Sequence, residues 1–460
     1  MSPQRSDTAQ ITSLMKRFIL ISTALLFTIS AAAQEVLTLE QVKERALTHN
    51  INMRLADNEI EQAKEQKKEA FTHYFPQVTA VGMAFKSNTE MLKTEVQPSK
   101  FIPASLAAAL PPTLLAGLPT NIPISMVDGG TIAGVTAVQP IFVGGQIING
   151  NKLAKVGVRV NELKKEVSAN SVELTAEQYF WQIVALKEKE KTLNAVAEML
   201  TKLEKDADVA VKAGVKMRND LLQVQLKQNE IESLKLQLGN GLSLAKMALA
   251  QYIGAEGEID IKAQVDPSVL PPYPSLKVDH TSAVTATPEY QLLEQGAKAA
   301  TLQRKMESGK RLPSVAIGAG YSYYNLGKHL DNNFGAVFAT VSVPITKWWG
   351  GTHATKRKRL AEQQAIDEWK DKTELLQIRM QKSWNDLDNA YKQLVIAKKS
   401  IEQSEENLRL NQNFYQAGTI TMKDLLDAQR LYQQARDRYT EDYVSLQNKI
   451  LEYEQNTGQK

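Results

Sequence analysis

The feature that most constrains this chain is that its second half repeats the first at a fixed distance. Gly214 precedes an Asp-Leu-Leu triplet that begins at Asp220, and Gly418 precedes one that begins at Asp424, so both pairs differ by 204 positions. The same offset relates Pro140-Ile141 to Pro344-Ile345 and Gly254 to Gly458. A repeat this long indicates a duplicated half-protein and excludes the short units of a solenoid.

Upstream of these motifs the offset is larger. Phe75-Pro76-Gln77-Val78 matches Leu312-Pro313-Ser314-Val315 at 237 positions, and 237 minus 204 leaves 33 additional residues in the first copy, between Pro76 and Pro140. Both copies show the same order: a polar helix, two short strands of alternating pattern, and a long helical hairpin. The predicted first repeat is 34–254, with helix Leu39–Ala70, strands 78–85 and 131–138, a long loop at 86–130 and hairpin 146–253. A linker is predicted at 255–287. The predicted second repeat is 288–460, with helix Pro288–Ser308, strands 314–324 and 335–343, and hairpin 352–457.

The helical hairpins are long and narrowly amphipathic. The 64 positions from Gly150 to Gly214 contain no proline, and a helix of that length spans about 100 Å. From Leu425 onward, apolar residues recur at alternating spacings of three and four, which is typical of a coiled-coil seam. Such a stripe cannot form a globular core alone, so we expect these helices to pack on one another.

The N-terminus predicts export. Lys16 and Arg17 precede an apolar stretch, Phe18–Ile29, and the small residues Ala31 to Ala33 follow. This is the pattern of a secretory signal peptide over residues 1–33, with Met15 as a better-placed start than Met1. The apolar stretch is too short for a membrane-spanning helix.

Composition and motifs argue against an enzyme or a nucleic-acid binder. The net charge is only +4, and there is no cysteine. The Gly-Gly pairs at 144–145 and 350–351 lack the Lys-Ser/Thr of a phosphate-binding loop, and we interpret them as bends between strand and helix. The histidines show no metal-ligand spacing, so no metal site is expected, and we interpret them as surface or packing residues; they are His49, His73, His280, His329 and His353.

The order of elements, two strands and then a long helical hairpin, occurs twice, and in this it resembles the TolC family of outer-membrane efflux proteins. The matching motifs are Pro140-Ile141-Phe142 before Gly144-Gly145, Pro344-Ile345 before Gly350-Gly351, and the run from Ala417 to Ala428 with Gly418, Asp424 and Asp427. The resemblance extends from Leu39 to Gly458.

The resemblance implies a mainly α protein with a membrane β-barrel. In a homotrimer, each protomer would give four strands to one shared 12-stranded β-barrel and its hairpins to a trimeric α-barrel in the periplasm. Open strand edges in lipid leave backbone groups without hydrogen bonds. A barrel closed by strands from several protomers has no such edges. The implied partners are a periplasmic adaptor (membrane fusion) protein, an inner-membrane transporter and outer-membrane lipid. The alternative is a periplasmic coiled-coil scaffold or stalk without a pore.

The resemblance also implies site residues. Asp424 and Asp427 would ring the periplasmic entrance, with Asp220 as the counterpart in copy one, where Gln223 replaces the second acid. Asp424 could equally cap its helix together with Thr421. Where the family has a basic residue that helps to lock the closed entrance, this chain has Ile420, so closure by an Arg-Asp pair is not expected. Gly214 and Gly418 would form the helix-turn tips that face the adaptor, or would simply supply left-handed turns. The strand-to-helix junctions would be formed by Pro140, Gly144, Gly145, Pro344, Gly350 and Gly351.

One charged run has no place in that scheme. Lys356-Arg357-Lys358-Arg359 follows the second Gly-Gly pair, and Trp348-Trp349 precede that pair. The run is either a solvated helix face or attracted to anionic lipid headgroups or the equatorial belt. The tryptophans fit an interfacial aromatic belt or packing at the junction.

Overall fold

The computed structural model describes residues 35–89, 91–103, 117, 122–127, 129–263, 265–266, 268–326 and 331–459. The predicted signal peptide, 1–33, and His329 lie outside these residues. The described chain forms two compact units. A helical unit comprises the residues up to Glu59, Asn161–Leu292 and the residues from Lys370; a sheet unit comprises Ile60–Val160 and Leu293–Trp369.

Helices account for most of the chain. They are α1 (Leu39–His49), α2 (Ile51–Thr72), α3 (Gln146–Lys212), α4 (Arg218–Ile253), α5 (His280–Ala283), α6 (Pro288–Gly309), α7 (Lys347–Gln416) and α8 (Met422–Thr457). The duplication is visible in α4 and α8, which are 36 residues each. Each ends at a left-handed glycine, Gly254 with φ 66° and Gly458 with φ 65°. Among the described residues, no helix has the length and apolar character needed to cross a membrane.

The single helix predicted from Leu39 to Ala70 is wrong, because Asn50 divides it into α1 and α2. Asn50 has an extended ψ of 139° and is only 5% exposed. Its Nδ2 donates to the Tyr252 carbonyl oxygen (3.1 Å), and its Oδ1 accepts from the N–H of Asn52 (2.9 Å). A buried amide that satisfies two backbone groups offsets the helical bonds lost at the break.

The core of the helical unit forms where α3, α4, α7 and α8 pack together. Its largest fully buried side chains include Phe180, Leu249, Leu387, Tyr439 and Tyr453. A second cluster near the helix turns contains Leu200, Val224, Ile231 and Leu425. The predicted seam of α8 is confirmed: Leu425, Ala428, Tyr439, Leu446 and Tyr453 are all 3% exposed or less.

The predicted linker, 255–287, contains short elements of its own. The strand β6 (Ile259–Ile261) pairs in parallel with β1 (Glu35–Leu37). The Asp260 carboxylate of β6 lies 3.0 Å from both Lys187 and Lys246. Further along, the Tyr273 hydroxyl donates to Asp388 (3.0 Å), and the Lys398 ammonium donates to the Ser268 carbonyl (2.8 Å). These contacts fasten the linker to the long helices.

The sheet unit contains a four-stranded antiparallel sheet. Its strands are β2 (Gln77–Lys86), β5 (Gly129–Val143), β7 (Ser314–Asn325) and β8 (Asp331–Ser342), in the order β2-β5-β7-β8. The central pairing, β5 with β7, joins the two copies of the repeat. Therefore β2 and β8 are the outer strands, and each has one edge without a partner in the described chain.

The long loop predicted at 86–130 is wrong in part, because strands occupy some of it. The first residue of β5 is Gly129, and a second antiparallel pair, β3 (Leu92–Val96) with β4 (Ile122–Val127), lies within the predicted loop. A 3-10 turn, Pro98–Phe101, follows β3. The cluster of prolines concealed these strands because proline is normally confined to strand edges and bulges.

Candidate functional site

The two helix turns, between α3 and α4 and between α7 and α8, have the same geometry. Gly214 and Gly418 both have φ 74°. Val215 N–H donates to the Ala210 carbonyl (2.9 Å), and Thr419 N–H donates to the Phe414 carbonyl (3.0 Å). This is the Schellman pattern, in which a left-handed glycine closes the helix. A Cβ on either glycine would meet nothing within 4 Å, so the backbone conformation alone explains why glycine is present.

Asp424 lies in the first turn of α8 and caps it. The Thr421 hydroxyl and backbone N–H both donate to its carboxylate, at 2.7 and 3.0 Å. The Asp424 N–H donates back to the Thr421 hydroxyl oxygen (3.3 Å), which completes a capping box. The two Thr421 bonds hold the pKa of Asp424 below its ordinary value, so this carboxylate is charged at neutral pH. The capping interpretation is confirmed within one protomer, and it leaves a role at an entrance open.

Asp427 is exposed and has cations around it. Its carboxylate lies 3.6 Å from the Arg430 guanidinium, and both side chains are about half exposed. Lys423, Lys227 and Glu230 line the same shallow groove between α4 and α8, as does Gln223, the copy-one counterpart of Asp427. The acids alone carried the prediction of an entrance ring. Lys423 and Arg430 are four residues before and three residues after Asp427, a helical spacing that would have indicated them.

Asp220 lies in the first turn of α4, opposite the end of α7. Burial, and then the negative charges of Asp220 and Asp206, raise the pKa of Tyr415. The Lys216 ammonium lies 4.4 Å from the centre of the Tyr415 ring, a cation–π contact between the two copies. Ile420 packs against the buried cluster at this end. No periodic signal in the sequence predicted the pairing of Lys216 with Tyr415.

A groove of about 690 Å³ lies between α3 and α7 at the same end. Acidic, basic and apolar side chains alternate along it, and Tyr415 lies at one end. Its charged lining residues are Glu198, Lys202, Asp206 and Lys216. Such a surface offers both ion pairs and apolar contact.

At the first strand-to-helix junction the glycines do form the predicted bend. Gly144 and Gly145 have φ 63° and 73°. A Cβ on Gly144 would lie 2.0 Å from the carbonyl oxygen of Gly309, and a Cβ on Gly309 would lie 2.1 Å from that of Gly144, so neither position has room for a side chain. Pro140 lies beside a bulge in β5, where the register with β7 shifts between Pro140 and Phe142. Proline is tolerated there because a bulge interrupts the ladder.

The same interpretation is wrong for the second junction. The helix α7 begins at Lys347, so Gly350 and Gly351 lie inside it, and neither has a positive φ. The bend is made earlier, at Val343 to Thr346, where the Lys347 N–H donates to the Pro344 carbonyl (3.0 Å). A Cβ on Gly351 would lie 2.9 Å from the Cδ of Arg311; close approach therefore explains this glycine, and nothing in the structure explains Gly350.

The histidines are dispersed in the part of the chain that the structure describes. His280 is partly buried, its Nε2 lies 3.1 Å from the Tyr453 hydroxyl, and burial lowers its pKa. Within the described residues, no group of three or more His, Cys, Asp or Glu side chains has the arrangement of a metal site.

Comparisons with known proteins agree with this geometry. Residues 285–455 match the family model described as outer membrane efflux protein. Among solved structures, the fold is similar to that of CusC, described in connection with transmembrane channel formation (TM-score 0.75, 13% identity, 91% of this chain and 92% of that one). It is also similar to the outer membrane protein VceC from Vibrio cholerae (0.70, 14%, 91% and 96%) and to the CmeC outer membrane channel from Campylobacter jejuni (0.73, 14%, 91% and 85%). A sequence comparison with curated proteins finds no significant match.

The fold is therefore that of the outer-membrane channel proteins, in which long helical hairpins are joined to a small share of a β-barrel. The resemblance drawn from the sequence is confirmed: residues 285–455 match the outer membrane efflux protein family model, and the fold is similar to those of solved outer-membrane channels.

Proposed function

We propose that this protein is a homotrimeric channel of the outer membrane. The observation that carries the proposal is the sheet with two open edges. Every residue of β8 and all but one of β2 are exposed in the single chain. Val337, Val341 and Val78 are among them, at 87%, 68% and 67%. In lipid, unpaired strand edges cost several kcal/mol for each backbone group, so only a closed barrel is stable.

Pairing β8 of one protomer with β2 of the next would close the sheet. Three copies of a four-stranded sheet give twelve strands, which is the number that the family resemblance implies. The exposed apolar side chains of the outer strands would then face lipid on the outer surface of the barrel. The helical units would extend into the periplasm.

The proposed function is to serve as the exit duct of a tripartite efflux or type I secretion system. An inner-membrane transporter supplies the energy, and a periplasmic adaptor protein contacts the turns at Gly214 and Gly418. Those turns, and the mixed polar and apolar groove beside Tyr415, support a protein-binding role for this end. The duct needs no cofactor of its own.

The entrance is proposed to be lined by Asp424 and Asp427, with Asp220 nearby. In a trimer, the first two would supply six carboxylates, a ring that favours cations. The pKa of Asp424 is already lowered within one protomer, which supports a charged ring at neutral pH. The neighbouring Lys423 and Arg430 reduce the net charge, so we expect modest selectivity.

The decisive test combines mass with conductance. Light scattering of the purified protein in detergent should give a mass of three chains, and the protein should form ion-conducting pores in planar bilayers. A monomer without conductance would refute the channel. Release from outer membranes by a salt wash would instead favour the coiled-coil scaffold.

A further inference from the structure

The start of α7 carries a concentrated positive charge, which the carboxylates of Glu307 and Glu362 balance only in part. Its first fifteen residues, 347–361, contain five cations and no Asp or Glu. The first acid, Glu362, is already paired with Arg304 at 2.5 Å. Of the basic run, Lys358 donates to Gln303 (2.9 Å). The other three are exposed and make no hydrogen bond or ion pair within the described chain; they are Lys356, Arg357 and Arg359.

Helical spacing places these cations around one exposed stripe. Trp349, His353, Lys356 and Leu360 follow one another at four, three and four residues, so they share a face of α7. At about 100° per residue, Arg357 and Arg359 lie about 80° to either side of Trp349. All six side chains are exposed, Trp349 at 66% and Leu360 at 57%.

From general helix geometry, we expect the cations of this face to lean back towards the sheet. Side chains of a helix lean towards its N-terminus, and the N-terminus of α7 adjoins β8. Lys356 is nine residues into the helix, about 14 Å along its axis, and its lean shortens that distance. The positive end of the helix dipole lies at the same place.

A further cation, Arg311, lies at this junction and has an unsatisfied donor. The Nε of Arg311 is buried and has no hydrogen-bond partner in the described chain. Its side chain passes across Gly351, where a Cβ would come within 2.9 Å of it, and its carbonyl accepts a bond from the Trp348 indole N–H (3.1 Å). Within the described chain, no carboxylate forms an ion pair with this guanidinium.

We propose that this surface binds the headgroups of anionic phospholipids in the periplasmic leaflet. We name it the junction face and define it as Arg311, Trp348, Trp349, Lys356, Arg357 and Arg359. Indoles settle at the headgroup level of a bilayer, and the guanidinium fork matches a phosphate. The site rests on the proposed insertion in the outer membrane, because only insertion brings the face to the headgroups.

The helix α2 of the same unit offers a control segment, with three lysines whose side chains are expected to lean away from the sheet. Near its C-terminal end, α2 carries Lys64, Lys67 and Lys68, which are 9 to 13 positions before β2, whereas Lys356, Arg357 and Arg359 are 14 to 17 positions after β8. Lys64 and Lys68 are paired with Glu61 and Glu65 at 2.6 and 2.7 Å. Because α2 runs towards the sheet, its side chains lean away from it. It therefore serves as a control for charge without orientation.

The experiment uses electron paramagnetic resonance of spin-labelled lipids around the full-length protein in phosphatidylcholine vesicles. The wild type should prefer labelled phosphatidylglycerol over labelled phosphatidylcholine roughly fivefold, the effect of one cation held near an anionic headgroup. In about 0.5 M NaCl the preference should fall towards one, because the screening length is then well below the value of about 8 Å in physiological salt.

Two triple variants and one quadruple variant locate the site. Lys356→Gln with Arg357→Gln, Arg359→Gln and Arg311→Gln should abolish the preference, and the first three changes alone should reduce it, whereas Lys64→Gln with Lys67→Gln and Lys68→Gln should retain most of it. An equal loss in the two triple variants would overturn the junction face in favour of diffuse charge, and so would a wild type without preference. Flotation with the vesicles distinguishes the two proposals: failure to insert refutes the channel as well, whereas insertion without lipid preference refutes only this site.

Discussion

Three alanine substitutions at the first strand-to-helix junction separate backbone strain from steric clash. Gly144 and Gly145 both adopt the left-handed conformation, with φ 63° and 73°. Only Gly144 faces another backbone closely, that of Gly309, which itself has an ordinary φ. Gly145→Ala therefore adds strain alone, Gly309→Ala adds the clash alone, and Gly144→Ala adds both.

The magnitudes follow from these contacts. A left-handed residue with a Cβ costs about 1–2 kcal/mol. On Gly145 the new methyl group would meet only Asn149 Nδ2 at 3.5 Å, an ordinary contact. Forcing an atom into a filled site costs typically 1–3 kcal/mol. We therefore expect about 1–2 kcal/mol for Gly145→Ala, about 1–3 kcal/mol for Gly309→Ala, and about 2–5 kcal/mol for Gly144→Ala.

The assay is the midpoint of heat unfolding of the reconstituted protein, together with the yield of membrane-inserted material. Gly144→Ala should be the least stable of the three variants. A double variant, Gly144→Ala with Gly309→Ala, should cost less than the sum of its parts, because one displacement of the two backbones relieves both clashes. Equal midpoints for Gly144→Ala and Gly145→Ala would refute the close approach.

The remaining predictions concern the entrance, the turns and alkaline pH. Asp424→Ala together with Asp427→Ala should reduce cation selectivity and block by trivalent cations in planar bilayers; if both persist, these residues do not line the entrance. Gly214→Val and Gly418→Val should impair export while trimers remain in the membrane, whereas asparagine, which tolerates a left-handed turn, should be milder; identical behaviour of valine and asparagine would exclude the turn geometry as the cause. Burial raises the pKa of Tyr439 from 10.0 to about 12. Folding thus favours the neutral hydroxyl, so its contribution to stability is present below pH 10 and is lost as pH rises towards 12. In that window the free energy of unfolding of the Tyr439→Phe variant should fall less steeply with pH than that of the wild type. An unchanged slope would refute this role.

The periodic parts of the fold were predictable from the sequence. The 204-residue offset predicted two equivalent hairpins, and the seam of α8 predicted which face is buried. Both follow from patterns repeated over many residues, where the error at any single position has little weight. The turns at Gly214 and Gly418 followed from the offset and from the need for a left-handed residue between two helices.

The parts that the sequence did not predict depend on contacts between distant residues. Gly351 is a glycine because Arg311 crosses it, and α1 ends because Asn50 binds a carbonyl about two hundred positions away. Neither contact leaves a local pattern. For the same reason, Lys216 and Tyr415 were missed, although both lie within a few residues of the predicted turns.

The two halves of the repeat are alike in helix length and differ in charge, and this combination bears on the proposed entrance. Because α4 and α8 are equally long and end at equivalent glycines, residues 204 positions apart occupy equivalent places on their helices. Gln223 and Asp427 are such a pair, as are Leu226 and Arg430, and all four line one groove. The groove is therefore formed by equivalent faces that differ in charge, because α4 contributes Lys227 and Glu230 but no acid at the place of Asp427. Any carboxylate that this position supplies to a trimeric entrance therefore comes from α8. Gln223→Asp should restore the missing acid beside Lys227 and increase cation selectivity, and unchanged selectivity in planar bilayers would show that this groove does not face the permeating ions.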